Sequence, residues 1–142
     1  MTRALLLIDA LREQIAREAR AAFPRECCGL IEGMHEGSAL RVAALHPTRN
    51  ISEDNDRFEI DPADHFRTLR AVRSNGRAII GCYHSHPNGR AEPSARDGDS
   101  EDGFLWLIAA ASDETMRLTA FQRIGDGWQE LVIAPQPTEN MA

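Results

Sequence analysis

The sequence has few cysteines, fewer basic than acidic residues (16 against 22) and no long apolar run near its start, and each feature argues against a class of protein. Three cysteines in 142 residues, two of them adjacent, do not make a disulfide framework. The net charge of -6 argues against nucleic-acid binding, because that binding needs a basic surface to replace phosphate counterions. The apolar run Leu5–Ile8 is interrupted by Asp9, so it is too short for a membrane span or a signal-peptide core.

The length and composition of the sequence also limit how the chain can be organised. A length of 142 residues with 42% hydrophobic content suits one compact domain with a sizeable core. We therefore predict a single domain over residues 1–142, with its core at about 8–134 and a frayed polar tail at 135–142. Because no secretion signal is found, the free cysteines indicate a reducing cytoplasm. No pattern in the sequence indicates a membrane partner, and none defines the oligomeric state.

Two segments have the apolar spacing of helices. Ile8–Ala22 repeats apolar residues at helical spacing, and Pro24 follows its end. A second helix is expected to open at Asp61 and to run from Pro62 to Ser74, because proline is favoured at the first helical position. Its buried side is expected to carry Phe66, Leu69 and Val72.

The remaining apolar runs predict strands and define the fold class. Two of them are expected to pair as a hairpin near the start of the chain, and two more across Gly125–Gly127. The sequence therefore predicts an α/β domain with a mixed, mostly antiparallel sheet and two main helices. The expected strands are Cys28–Glu32, Leu40–Leu45, Arg57–Ile60, Ala78–His86, Phe104–Ala111, Met116–Ile124 and Trp128–Ile133.

The strand expected at Ala78–His86 ends in two histidines. Side chains alternate between faces along a strand, so His84 and His86 point to the same side. Two imidazoles placed in this way can bind one metal ion. The alternative is a pair of packed or surface histidines, and a bare pair at this spacing is weak evidence. Cys82 lies on the same face, either as a further ligand or as a buried core thiol.

A polar loop follows and is expected to return toward the histidines. It contains Ser94 and Asp97, and two His with one Asp form a three-ligand set whose fourth position is open, as in catalytic zinc sites. Iron and manganese accept the same ligands, so the set alone does not define the ion. Two plainer roles remain open, which are Ser94 as a helix N-cap and Asp97 as a carboxylate at a helix N-terminus.

The spacing of these residues resembles the signature of the JAMM (MPN+) metalloprotease family. His84 and His86 are separated by one serine, seven residues separate His86 from Ser94, and two more residues separate Ser94 from Asp97. A bare pair of histidines is weak evidence, whereas the pair with the serine and the aspartate at this spacing is much more specific.

A glutamate upstream completes the resemblance. The segment at 23–30 is similar to the glutamate-bearing stretch of that family, and it supplies Glu26. The matching parts fall in the family's order and cover nearly the whole chain, roughly residues 9–134. Taken without the resemblance, Glu26 is only a carboxylate before a strand.

The resemblance implies a fold, a cofactor and a role for each residue. The fold would be the cytidine deaminase-like domain of short prokaryotic JAMM proteins, with the mixed sheet flanked by the two main helices. One Zn²⁺ per chain would be bound by His84, His86 and Asp97. Glu26 would be the general base and acid, and Ser94 would donate a hydrogen bond to the developing oxyanion.

The implied function is hydrolysis of an amide bond at the C-terminus of a small ubiquitin-like protein. The chain lacks the insertions of eukaryotic deubiquitinating members, which favours a partner of the sulfur-carrier type with a Gly-Gly-type tail over ubiquitin. One alternative is a non-catalytic scaffold of the same fold that binds a protein partner. Another is a cupin-like metal oxygenase, which would use Glu92, although its spacing from His86 is too long for that pattern.

Overall fold

The structure is a computed structural model that describes residues 2–94, 100–111 and 116–135. Within these ranges the chain forms two helices and seven strands. The helices are α1 (Asp9–Ala22) and α2 (Pro62–Ser74), and the strands are β1 (Ala4–Leu7), β2 (Cys28–Glu36), β3 (Ala39–Thr48), β4 (Ala78–His86), β5 (Leu105–Ala111), β6 (Met116–Ile124) and β7 (Gly127–Pro135). The prediction of a small α/β domain with two main helices is confirmed.

The strands form a closed barrel in the order β1-β3-β2-β4-β5-β6-β7. The sheet is mixed, since β1 pairs in parallel with β3 and β7 and β4 pairs in parallel with β5. The other neighbouring pairs are antiparallel, and they include both predicted hairpins. The expectation of a sheet flanked by two helices is wrong in one respect. The short run Ala4–Leu7 is a strand that joins β3 to β7, so the two edges of the sheet meet.

Both helices have the predicted bounds to within one residue. Asp61 is the N-cap of α2, where its side chain accepts a hydrogen bond from the backbone N–H of Ala63 at 2.9 Å. A hydrogen bond from Arg49, together with the one from Ala63, holds the pKa of Asp61 below its usual range. Neither helix in the described part of the chain is long and apolar enough to cross a membrane.

The predicted burial of α2 is wrong for two of its three apolar residues. Val72 is buried, but Phe66 is 62% exposed and Leu69 is 38% exposed. The helix α2 packs on the outer surface of the barrel. Because the sheet is curved and the helix is straight, only a narrow strip of the helix surface contacts the sheet. Burial of all three apolar residues would need a flatter sheet.

The core has two layers on opposite faces of the barrel wall. One cluster takes residues from all seven strands and from α1, which places it inside the barrel; it includes Leu5, Ile15, Ile31, Leu40, Tyr83, Leu107, Ala120 and Leu131. A second cluster consists of Leu30, Cys82 and Trp106. Phe58 and Ile60, from the segment before α2, pack on this second cluster. Because β5 is buried on both faces, the prediction of a central strand there is confirmed.

Gly81 allows β4 and β5 to approach each other closely. A Cβ atom at this position would lie 2.1 Å from the carbonyl oxygen of Leu105 and 2.6 Å from its Cβ atom. We expect Gly81→Ala to lower the free energy of unfolding by about 3 kcal/mol, because the backbones must separate in a packed core. Chemical denaturation measures the change. The matched control is Gly127→Ala, where the nearest atom would be 3.7 Å away; an equal effect in both variants would contradict this account.

Candidate metal centre

The end of β4 places two buried imidazoles side by side. His84 and His86 are 0% and 4% exposed, and their Nε2 atoms lie 3.0 Å apart. Between them in sequence, Ser85 lies on the opposite face, as does Tyr83, which belongs to the barrel interior. The prediction that alternation on this strand brings the two histidines together is confirmed.

Neighbouring groups fix the orientation of both rings. The Nδ1 atom of His86 is 2.9 Å from the carbonyl oxygen of Arg90, so Nδ1 carries the proton and Nε2 presents a lone pair. The ring of His84 stacks on Phe58 with centroids 4.4 Å apart, and the edge of Trp106 lies against it with centroids at 5.4 Å. His86 is thus oriented by a hydrogen bond to a carbonyl group, and His84 is oriented by two aromatic rings. Such neighbouring groups commonly orient histidines that bind metal ions.

Glu26 reaches the histidines because β2 pairs with β4. In this antiparallel pair Cys28 lies opposite His84, and the backbone N–H of Ser85 donates to the carbonyl oxygen of Cys27 at 3.1 Å. Glu26, two residues before β2, is thereby placed at the level of the two rings. Glu26 is 3% exposed, and a carboxylate oxygen of Glu26 and one ring nitrogen from each histidine all lie within 4.8 Å of one another.

The chemistry of this group suits a metal ion. It offers two neutral imidazole nitrogens and one carboxylate, which are ligand types that zinc binds. In a tetrahedral site with Zn–N distances near 2.0–2.1 Å, two nitrogen ligands are about 3.3 Å apart. The observed separation of 3.0 Å between the Nε2 atoms is close to that value. The residues present therefore fit a metal ion.

A comparison with known proteins gives the family. A family model described as prokaryotic homologues of the JAB domain matches residues 9–124. The chain belongs to the prokaryotic JAB-domain family. The resemblance to JAMM/MPN+ proteins is confirmed, and the matched segment includes β4 with both histidines as well as Glu26.

Two relatives of this JAB-domain protein have names that refer to an enzymatic activity. It is 37% identical over 123 residues to "Desampylase" from Haloferax volcanii, covering 84% of this chain and 85% of that protein. It is 32% identical over 92 residues to "Probable TtuB-protein conjugate cleaving protease" from Thermus thermophilus, covering 64% of this chain and 56% of that one. A solved structure from Desulfitobacterium hafniense is similar with a TM-score of 0.84 and 28% identity, covering 95% of this chain and 94% of that one.

Two predicted site residues of the JAB-domain chain lie in the loop after β4. Ser94 is half-buried at the end of the described part of this loop. Asp97 lies outside the described residues, so its role as the third metal ligand stays a prediction. The start of the loop is held firmly, because the carbonyl oxygen of Ala91 accepts a hydrogen bond from the Thr119 hydroxyl at 2.5 Å.

The three cysteines are buried, and none of them forms a disulfide. Burial raises the pKa of Cys27 to about 12 and that of Cys28 to about 11, so both thiols stay protonated at neutral pH. Cys82 packs with Leu30 and Trp106 in the second cluster. The interpretation of Cys82 as a core thiol is therefore preferred to that of a further ligand.

Sequence reasoning missed the aromatic wall and one buried ion pair. Phe58 and Trp106 are distant in sequence from the histidine motif and carry no spacing that predicts their contact with His84. A ring nitrogen of His46 lies 2.8 Å from the buried carboxylate of Glu32. Arg77 donates to the other oxygen of Glu32 at 3.0 Å. Only the pairing of β2 with β3 and β4 brings these groups together.

Proposed function

We propose that the protein is a zinc-dependent isopeptidase or peptidase that acts at the C-terminus of a small ubiquitin-like protein of the sulfur-carrier type. The observation that carries the proposal is the buried group of Glu26, His84 and His86 on the outer face of the barrel wall, next to Phe58 and Trp106. Two relatives support the substrate class, since one is named "Desampylase" and another is named for cleaving TtuB-protein conjugates.

Each residue has a distinct task in the proposed reaction. His84 and His86 would hold one zinc ion, with Asp97 as the third ligand. When bound, such an ion polarises a carbonyl group and lowers the pKa of water. The Glu26 carboxylate would accept a proton from the attacking water and pass it to the nitrogen of the leaving amine. The Ser94 hydroxyl would donate a hydrogen bond to the carbonyl oxygen as negative charge develops there.

The burial of the site favours a slender substrate. Glu26 and both histidines are almost fully covered, so a peptide bond flanked by large side chains would meet the walls around them. Glycine residues lack a Cβ atom and allow the closest backbone approach. A Gly-Gly-type tail, such as sulfur carriers have, would therefore fit this covered site.

A non-catalytic scaffold is the alternative of a different class. A scaffold would bind its partner over the surface and would have no use for a buried carboxylate beside two oriented imidazoles. Keeping such groups out of water carries a free-energy cost that a binding surface does not need. The JAB-domain family assignment leaves the cupin-like oxygenase without support.

An intact-mass assay of a defined conjugate tests the proposed function. The probe is a sulfur-carrier protein ending in Gly-Gly, joined by an isopeptide bond to a lysine-containing peptide. We expect release of the carrier with a free C-terminal carboxylate, and at least about 10-fold slower release when the two glycines are replaced by alanines, because alanine side chains clash in a covered site. Stable binding of the conjugate with no release over hours would favour the scaffold instead.

A further inference from the structure

The peptide group between Glu26 and Cys27 is held at both of its polar ends by side chains. Its carbonyl oxygen, which belongs to Glu26, accepts a hydrogen bond from Nδ2 of Asn50 at 2.9 Å. Its N–H, which belongs to Cys27, donates to Oγ of Ser85 at 2.8 Å. Both contacts are long-range, joining residues 24 and 58 positions apart in sequence. This peptide plane is therefore fixed by two side chains in addition to the pairing of the strand that follows it.

We propose that Asn50 and Ser85 are positioning residues for Glu26. Together they form a clamp, defined as these two side chains and their bonds to the Glu26–Cys27 peptide group. The clamp fixes the backbone from which the Glu26 carboxylate reaches the two imidazoles. This inference rests on the proposed function, in which Glu26 moves the proton. It adds two residues that do not touch the substrate but determine where the carboxylate stands.

Asn50 also connects Glu26 to the wall behind His84. Its Oδ1 atom accepts from the backbone N–H groups of Ser52 at 2.9 Å and of Glu59 at 3.0 Å. Glu59 is next to Phe58, whose ring stacks on His84. One amide side chain thus joins the backbone of the proposed proton carrier to the loop that orients a proposed metal ligand.

A second contact joins the same two segments. The guanidinium of Arg25 donates to the carbonyl oxygen of Asn50 at 2.9 Å and also bonds the carbonyl oxygen of Ser52. The chain immediately before Glu26 is therefore attached to the Asn50 loop through backbone acceptors. Mutation of the Asn50 side chain alone should leave this attachment in place, so the loop should not detach from the barrel.

Ser85 acts from within the histidine strand but on the opposite face. It is buried, its N–H donates to the carbonyl oxygen of Cys27, and its hydroxyl accepts from the N–H of Cys27. These two bonds extend the pairing of β2 with β4 beyond the Cys28–His84 pair. Since Ser85 faces away from the imidazoles, its hydroxyl is suited to holding the Glu26 segment and not to contacting the substrate.

Conservative variants separate the clamp from general stability. Asn50→Asp keeps an oxygen for the N–H groups of Ser52 and Glu59 but removes the donor that faces the Glu26 carbonyl. Ser85→Ala removes the acceptor for the Cys27 N–H. The matched control is Thr48→Val, which deletes a hydroxyl that donates to the carbonyl oxygen of Cys28 at 3.2 Å, two residues beyond Glu26.

In the conjugate-cleavage assay we expect Asn50→Asp and Ser85→Ala each to lower kcat by about 10- to 100-fold, the range typical for loss of a supporting contact around a site. KM and the zinc content should stay within about twofold of the wild type, because neither residue binds substrate or metal. Thr48→Val should keep kcat within about twofold. Unchanged kcat in both clamp variants would overturn the proposal, and so would a loss of kcat matched by an equal loss of zinc or by unfolding.

Amide hydrogen exchange followed by NMR provides a readout that does not need activity. The Cys27 amide should be protected in the wild type and in Thr48→Val, and should exchange at least about 10-fold faster in Ser85→Ala, because its acceptor is gone. A Cys27 amide that is unprotected in the wild type would overturn the clamp itself. If the Cys27 amide is protected but the wild-type protein cleaves no conjugate, the proposed function is overturned. The clamp would then exist without a role in catalysis.

Discussion

Glu26→Gln should lower kcat for conjugate cleavage by about 10³-fold, within the range measured for loss of a general base. The amide of glutamine has the shape of the carboxylate but cannot accept the proton. If Asp97 is the third metal ligand, the variant should still bind zinc with an affinity close to that of the wild type. Initial-rate kinetics and zinc titration on the same preparation measure both quantities.

The matched control for Glu26→Gln is Glu36→Gln. Glu36 is exposed at the far end of β2, where a hydrogen bond from Arg41 holds its pKa below the usual range. Its loss should leave both the rate and the zinc affinity unchanged. If Glu26→Gln cleaves at the wild-type rate, Glu26 is not the proton carrier. If it loses zinc together with activity, Glu26 is a metal ligand, as its distance to both imidazoles would also allow.

His84→Ala and His86→Ala should each weaken zinc binding by at least about 100-fold. Structural zinc sites with four protein ligands bind with roughly 10–16 kcal/mol, so one ligand accounts for about 3 kcal/mol or more. Competition titration against a chelator of known affinity measures the change. Activity should fall in parallel with zinc occupancy, because the proposed reaction depends on the ion.

His35→Ala is the control for the two histidine variants. His35 is an exposed histidine on β2, and its loss should not alter zinc binding. Equal zinc affinity in the wild type and in His86→Ala would show that the metal, if any, is bound elsewhere. A loss of zinc in His35→Ala as large as in His86→Ala would show that the measured ion is bound non-specifically.

The histidine pair could be predicted because it depends on local rules alone. Strand alternation places His84 and His86 together whatever the rest of the chain does, and the bounds of β4 agree with the prediction. The start of α2 is equally local, since Asp61 caps it and Pro62 opens it. The hairpin between β6 and β7 follows from a glycine-containing turn whose Gly125 has a φ of 59°.

The position of Glu26 could not be predicted by such rules. It depends on the register of β2 against β4, in which Cys28 lies opposite His84, and register between distant segments has no local signal. Glu26 was predicted from the resemblance to the JAMM family. The residue pattern alone gave no reason to choose this glutamate. Asn50 and Phe58 depend on the same long-range pairing, which explains why their contacts with Glu26 and His84 could only be seen in the structure.

The closure of the sheet also required information that the pattern lacks. A four-residue apolar run before a helix is ambiguous, and only its parallel pairing with β3 and β7 makes Ala4–Leu7 a strand that closes the barrel. The exposure of Phe66 has the same origin, because helical spacing predicts which residues share a face but not how much of that face is covered.

Native mass spectrometry of the zinc-supplied protein tests the central claim most directly, when it is applied to the wild type and to Asp97→Ala. We expect one zinc ion per wild-type chain and none in the variant at the same zinc concentration. A wild-type chain that retains no zinc would contradict the proposed zinc-dependent hydrolase and favour the scaffold. One zinc ion in both proteins would contradict the assignment of Asp97 and would make Glu26 the candidate for the third ligand beside His84 and His86.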